Sequence, residues 1–97
     1  MSTFIILSSF TEQGVRAVKD TTKRADKFRD MAKQHGATVK DLYWTLGQYD
    51  VVAIIEAPDV TSVTALGLSL GMAGNVRTQT LPAFSADDMA KVLAKMK

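Results

Sequence analysis

The side chains best suited to chemistry are a tyrosine and an aspartate at one predicted turn. Tyr49 and Asp50 end the stretch 47–50, which reads GQYD and lies between two apolar runs typical of strands. The phenol of Tyr49 and the carboxylate of Asp50, together with His35 or Glu56, could transfer protons to and from a small aromatic or enolisable compound. A pocket that excludes water would favour such a reaction. One hypothesis is therefore a cofactor-independent enzyme of the oxygenase or isomerase type.

Carboxylates on the predicted strands offer a second candidate site. If the strands alternate regularly, Asp41, Asp50 and Glu56 lie on the sheet face opposite Trp44. Arg77 on the predicted fourth strand is the partner expected for them. The structural interpretation is an ion pair within an interface. The functional interpretation is the polar end of an apolar pocket, where burial would raise the pKa of a carboxylate toward that of a useful base.

Two further residues complete the candidates for ligand binding or an interface. Tyr43 lies on the same predicted face and, with Tyr49, could orient a ligand through its hydroxyl. His35 could act as a general base, but it directly precedes Gly36, and an imidazolium is favoured at the negative end of a helix. We favour this structural interpretation of His35. Because the chain has one histidine and no cysteine, the sequence predicts no metal site of the zinc type and no cofactor.

Composition narrows the class of protein. The 97 residues fit a single domain that covers 1–97. A net charge of +2 is too small to indicate nucleic-acid binding, and the predicted strands lack the aromatic pairs that stack RNA bases. The apolar run at 4–7 is too short to span a membrane or to serve as a signal peptide. We therefore expect a cytoplasmic protein with neither a nucleic-acid nor a membrane partner.

The elements that position these residues alternate between strands and helices, with one central hairpin. Periodicity and turn residues predict strands at 3–9, 39–46, 51–57 and 76–84, and helices at 12–18, 21–34, 60–73 and after Ser85. This order is typical of the ferredoxin-like βαββαβ sandwich. The predicted fold is α+β, with a four-stranded antiparallel sheet and an extra C-terminal helix.

Uncovered apolar surface predicts an assembly. The first and third predicted strands are apolar on both faces, and residues 60–76 include no charged side chain. In this sandwich the helices cover only one face of the sheet, and an exposed apolar face of several hundred Å² is a large unused driving force at about 25 cal/mol per Å². We expect a homo-oligomer of the dimeric α/β-barrel type, in which sheet faces pack together. Dimers, trimers and hexamers all remain compatible with the sequence.

Several short motifs together resemble the GYD domain family over essentially the whole chain. They are GQYDVV at 47–52, Phe10 with Gly14, EAPD at 56–59, GNVRT at 74–78, and Thr80, Leu81 and Phe84. The resemblance implies a ferredoxin-like fold of the dimeric α/β-barrel type. It implies no settled activity, because related barrels include cofactor-free oxygenases, haem enzymes and stress-response proteins.

These features favour a small oligomeric binding or interaction protein. An apolar cavity, or an interface between sheet faces, would hold a small apolar or aromatic molecule. The cofactor-independent enzyme and a purely structural assembly module are the alternatives. At the turn, we expect Asp50 to accept backbone hydrogen bonds locally, and Tyr49 to carry its ring to another element or subunit.

Overall fold

The computed structural model describes all 97 residues, 1–97. Its elements are β1 (Ser2–Phe10), α1 (Glu12–Arg16), a 3₁₀ turn (Val18–Asp20), α2 (Thr21–Gln34), β2 (Thr38–Trp44), β3 (Val51–Ala57), α3 (Val60–Met72), β4 (Val76–Ala83) and α4 (Ala86–Ala94). The four strands form one antiparallel sheet in the order β2-β3-β1-β4. This confirms the predicted α+β, ferredoxin-like sandwich with its added helix. None of the helices has the length and apolar character needed to cross a bilayer.

The two faces of the sheet differ because the central strand alternates. On β1, Phe4, Ile6 and Ser8 are buried beneath the helices, whereas Ile5 and Leu7 are only half-buried on the other side. We call the side without helices the open face. The helix-covered side carries the core, whose members are Phe4, Ile6, Phe28, Ala32, Ala37, Ala53, Ile55, Ala57, Val63 and Leu66.

A β-bulge in β2 changes the predicted faces. The register with β3 shifts between Val39, which pairs with Ile55, and Asp41, which pairs with Ile54. Val39 therefore lies on the helix-covered side and packs against the core. A strict alternation would place Val39 on the same face as Asp41, but the bulge inserts one residue between them.

The first helix is fastened to the turn between α3 and β4. The Thr11 hydroxyl accepts a hydrogen bond from the Gly14 amide at 3.1 Å and donates one to the Gly74 carbonyl at 2.6 Å. The Thr11 amide donates to the Asn75 carbonyl at 3.0 Å. Gly14 is buried against this turn, and a Cβ placed there would lie 2.0 Å from the Asn75 carbonyl oxygen. Only glycine allows the two backbones to approach this closely.

Helix α3 buries one side only. Val63 and Leu66 are buried against the sheet, but Leu68 is 68% and Met72 is 87% exposed. A helix that is apolar nearly all round is usually covered on more than one side. The single chain leaves the outer side of α3 uncovered. It is thus an exposed helix surface with no charged residue.

Aspartates begin the last two long helices. Asp59 accepts a hydrogen bond from the Ser62 amide at 2.8 Å, and this bond, with a second from the Ser62 side chain, lowers the pKa of Asp59 below its ordinary value of 3.8. At α4, Ser85 and Asp88 form a complete capping box. Hydrogen bonds from the Ser85 hydroxyl and then the Ser85 amide lower the pKa of Asp88 below 3.8. Asp88 stands where this motif usually has Glu or Gln, and it nevertheless completes the cap.

We expect these caps to make the free energy of unfolding depend on pH in the acid range. Both folded pKa values lie below the ordinary 3.8, so the unfolded chain binds protons first as the pH falls. The stabilisation is complete above about pH 4 and is lost as the pH falls through the folded pKa values. Thermal melts at pH 5 and pH 3 should show a larger loss for the wild type than for the double variant D59N/D88N. Equal losses for the two proteins would contradict this assignment.

Candidate functional site

The loop between β2 and β3 is longer than the predicted four-residue turn. It spans 45–50 and is closed by a hydrogen bond from the Thr45 amide to the Asp50 carbonyl at 2.8 Å. The Thr45 hydroxyl also donates to the Tyr49 carbonyl at 2.7 Å. Gly47 has a φ of +113°, a conformation that favours glycine. These bonds give the loop a defined shape and fix the directions of Tyr49 and Asp50.

Asp50 fastens this loop to the central strand. Its carboxylate accepts a hydrogen bond from the Phe10 amide at 2.8 Å, and its own amide donates to the Ser8 carbonyl at 2.8 Å. The Ser9 hydroxyl donates to the Gln48 carbonyl at 3.1 Å. Asp50 does accept a backbone hydrogen bond, but from the end of β1 and not from its own turn as predicted. The bond spans 40 positions of the sequence, which no local pattern encodes.

Tyr49 extends from the loop to the opposite edge of the sheet. Its hydroxyl donates to Oε1 of Gln79 at 2.7 Å. Gln79 lies on β4, where it pairs with Leu7 of β1, so the tyrosine side chain reaches across the central strand. The predicted contact of Tyr49 with another element is confirmed, and a contact with another subunit stays a prediction. Gln79 was not among the predicted site residues. Its only indication in the sequence was a predicted position on the same face of β4 as Arg77 and Leu81.

The open face forms an apolar centre with polar ends. Its apolar members come from three adjacent strands and are Ile5, Leu7, Val52, Ile54 and Leu81. Tyr43 continues this surface onto the edge strand β2, where it pairs with Val52 and is 59% exposed. No helix covers these side chains. Within the single chain, this apolar sheet surface therefore stays uncovered.

Within the single chain Arg77 forms no ion pair with Asp41, Asp50 or Glu56, and the ion pair expected within an interface stays a prediction. Glu56 instead lies 3.7 Å from Nζ of Lys40, a residue at the bulge. Arg77 pairs with Ser9, near the far end of β1, whereas Glu56 pairs with Thr3. Six residues of strand separate the two positions, which is about 20 Å at 3.3 Å per residue. The sheet register therefore keeps Arg77 away from Glu56.

His35 ends α2 and does not join the loop. Its Nδ1 lies 2.9 Å from the Met31 carbonyl, so the ring satisfies an unpaired carbonyl of the last helical turn. This geometry agrees with the favoured structural interpretation. His35 also precedes β2, and the loop with Asp50 follows β2, so a seven-residue strand of about 20 Å lies between them. The proton-transfer residues of the enzyme hypothesis are thus not brought together. No three His, Cys, Asp or Glu side chains cluster as metal ligands would.

A small apolar cavity lies between the sheet and the helices. Its volume is about 60 Å³, and its lining includes Phe28, Leu42, Trp44 and Leu70. Pockets for small molecules usually occupy about 300–1,000 Å³. Trp44 is 44% exposed, lines this cavity and donates from Nε1 to the Thr21 hydroxyl at 2.9 Å. The predicted small-molecule ligand stays a prediction.

Comparisons with known proteins agree with this architecture. Residues 4–93 match the GYD domain family. A protein of Thermus thermophilus named "Glutamine synthetase and cystathionine beta-lyase binding protein" is 34% identical over 98 residues, covering 100% of both chains. The crystal structure of the protein TTHA0845, also from Thermus thermophilus, superposes with a TM-score of 0.57 at 25% identity, covering 89% of this chain and 96% of that one.

The family match contains the parts that carry the resemblance in the sequence. It includes the loop 45–50 that fastens to β1, and the contact of Gly14 with the turn before β4. Both are long-range backbone contacts specific to this fold. The chain belongs to the GYD domain family.

Proposed function

We propose that this protein is a homodimeric interaction protein that binds a larger metabolic enzyme. Two copies pack their open faces together, and the helical layer remains outside for the enzyme. The observation that carries the proposal is the open face itself, whose apolar centre has no cover within the chain. A small apolar or aromatic molecule would bind in the seam between the two sheets. Because the proposed partner is a metabolic enzyme, we also propose that the protein acts in the cytoplasm.

The total accessible surface supports a missing subunit. The chain exposes 6641 Å², whereas a compact monomer of 10.5 kDa exposes about 5,400 Å² by the usual scaling. The difference of about 1,200 Å² exceeds the roughly 800 Å² that one partner contributes to a standard interface. Only 13 of 97 residues are buried, so the single chain has a small core of its own. Pairing would bury the apolar area that the monomer leaves in water.

The class of the partner is supported by the Thermus relative and by α3. The relative is named for binding two enzymes and matches this chain from end to end. The outer side of α3 presents Leu68 and Met72 to solvent without any charged residue between 60 and 76. Apolar side chains such as Met are enriched where proteins contact one another. Because α3 lies on the helical layer, it stays accessible after the sheets have paired.

Replacing Leu7 by lysine is expected to abolish the dimer. Leu7 lies at the centre of the open face, between Val52 and Gln79, so each interface would bury two lysine charges without partners. Sedimentation should give twice 10.5 kDa for the wild type and 10.5 kDa for L7K. The matched control is L68K, the same substitution on the outer side of α3, which should remain a dimer. A monomeric wild type, or a dimeric L7K, would refute the pairing of open faces.

The partner is tested with purified enzymes. Glutamine synthetase and cystathionine beta-lyase from the same source organism should bind the wild-type dimer in calorimetric titrations. L68K should weaken this binding at least about tenfold, which corresponds to about 1.4 kcal/mol, while its dimer mass is unchanged. Absence of binding to both enzymes would refute this choice of partner. If L68K bound the enzymes as tightly as the wild type, α3 would not be the contact surface.

A further inference from the structure

Helix α4 turns its apolar side away from its own domain. Met89, Leu93 and Met96 are 43%, 55% and 70% exposed, and no residue of α4 is buried. A gap of about 510 Å³ separates the helix from the start of β1 and from Val60 and Phe84. The α4 side chains that border this gap are Asp88, Lys91, Val92 and Lys95. The flank of α4 that faces the domain is polar except for Val92, so Met89, Leu93 and Met96 are left for a partner from outside the chain.

The spacing and the charges of α4 define that partner. The stripe Met89, Val92, Leu93 and Met96 has the i, i+3, i+4, i+7 spacing that forms the seam of a helix pair. Acidic residues occupy the first turn, and Lys95 and Lys97 follow at the other end. Antiparallel pairing of two such helices brings opposite charges together. Parallel pairing would bring like charges together, which is unfavourable.

We propose that α4 pairs in an antiparallel manner with α4 of a second copy. The two-fold axis passes between Val92 and Leu93, and Met89 of one copy packs against Met96 of the other. The helix is therefore a second contact of the dimer, and this proposal rests on the proposed homodimer. The residue following β4 is Phe84, which is 61% exposed, so apolar surface continues from the sheet edge toward α4.

The area of the open face also calls for a second contact. Four strands of about seven residues give a flat footprint of about 19 by 23 Å, or roughly 440 Å². A standard interface takes about 800 Å² from each partner. The molecule is 51 Å long, and its radius of gyration is 14.4 Å. A compact chain of this length has a radius of gyration of about 12.5 Å, so this chain departs from a compact shape. Such a shape is expected of a subunit with an arm.

Cross-linking between two different chains tests the proposed register. The protein has no cysteine, so engineered thiols report single positions. An M89C chain is mixed with an M96C chain that carries a purification tag, and the mixture is oxidised mildly. We expect a disulfide-linked dimer of one tagged and one untagged chain, because a disulfide requires Cβ atoms about 4 Å apart. The control pair A90C and A94C has matching positions on the opposite side of α4 and should not cross-link.

The outcomes separate this proposal from the open-face dimer. Efficient self-cross-linking of M89C with M89C and of M96C with M96C would indicate parallel helices and overturn it. A wild type that is dimeric and sensitive to L7K, together with no disulfide between the M89C and M96C chains, would overturn the α4 contact and leave the open-face dimer intact. As a second measurement, L93K should raise the Kd of the dimer at least about tenfold, while A94K should leave it unchanged. Equal Kd values for L93K and A94K would also overturn the proposal.

Discussion

Replacing Gly14 by alanine is expected to give the largest loss of stability among the substitutions considered for this protein. The added Cβ would lie 2.0 Å from the Asn75 carbonyl oxygen and 2.9 Å from its carbon, and both belong to the backbone of a turn. Neither atom can move without breaking the hydrogen bonds of Thr11 to Gly74 and Asn75. We expect G14A to lower the free energy of unfolding by about 3 kcal/mol or more. For a domain of this size the melting temperature would fall by more than about 12 °C.

The chain offers a matched control for this substitution. Gly71 lies in α3, and a Cβ placed there would meet no atom within 4 Å. Alanine is favoured over glycine in a helix by about 0.5–1 kcal/mol, so G71A should melt at the same temperature as the wild type or higher. Urea unfolding of the two variants measures both free energies. A G14A protein as stable as the wild type would show that α1 and the turn before β4 can separate without loss.

The Gly14 contact gives a physical reason for part of the family resemblance. Phe10, Gly14 and the run 74–78 are distant in sequence, yet they meet where α1 docks on the turn before β4. Arg24 strengthens the same region by donating to the Gly14 carbonyl at 3.1 Å and by lying over the Phe10 ring, 5.7 Å from its centroid. These motif residues hold α1 against the turn before β4.

The elements of the fold could be predicted because their signals are local. The break between α1 and α2, the cap at Ser85 and the stop at Gly36 all depend on residue types within a few positions. The apolar residues on both faces of β1 and β3 also predicted an uncovered apolar sheet face. The bulge at Val39 could not be predicted, because nothing near it distinguishes an inserted residue from a regular strand.

The candidate site was harder to predict because its contacts are long-range. Asp50 was expected to stabilise its own turn, and its hydrogen-bond donor proved to be Phe10 on another strand. Arg77 was expected to pair with Asp41, Asp50 or Glu56 within an interface. The sheet register, which no local pattern encodes, separates Arg77 from Glu56 in the same chain. The direction of the apolar side of α4 depends on how the chain leaves β4. Such facts are set by tertiary packing and by assembly.

Replacing Asp50 by alanine is expected to give the second large loss of stability. The half-buried Phe10 amide would lose its only acceptor from the loop, a charge-assisted bond of 2.8 Å. An unsatisfied amide costs about 1–3 kcal/mol, so we expect D50A to lose about 2 kcal/mol and to melt about 8–16 °C lower. The control D50N keeps an acceptor of the same shape and should lose less than half as much. Thermal melts of both variants measure the difference.

Tyr49 should behave in a different way from its neighbour. Y49F removes an exposed hydrogen bond to Gln79, which contributes less than about 1 kcal/mol, so its melting temperature should change little. Y49A also removes the ring from the open face, and aromatic side chains commonly dominate contacts between proteins. We therefore expect Y49A to weaken the dimer in sedimentation while D50N leaves its mass unchanged. If D50A melted like the wild type, the loop would not depend on its bond to β1. If Y49A dimerised like the wild type, the ring would serve only to hold the loop against β4.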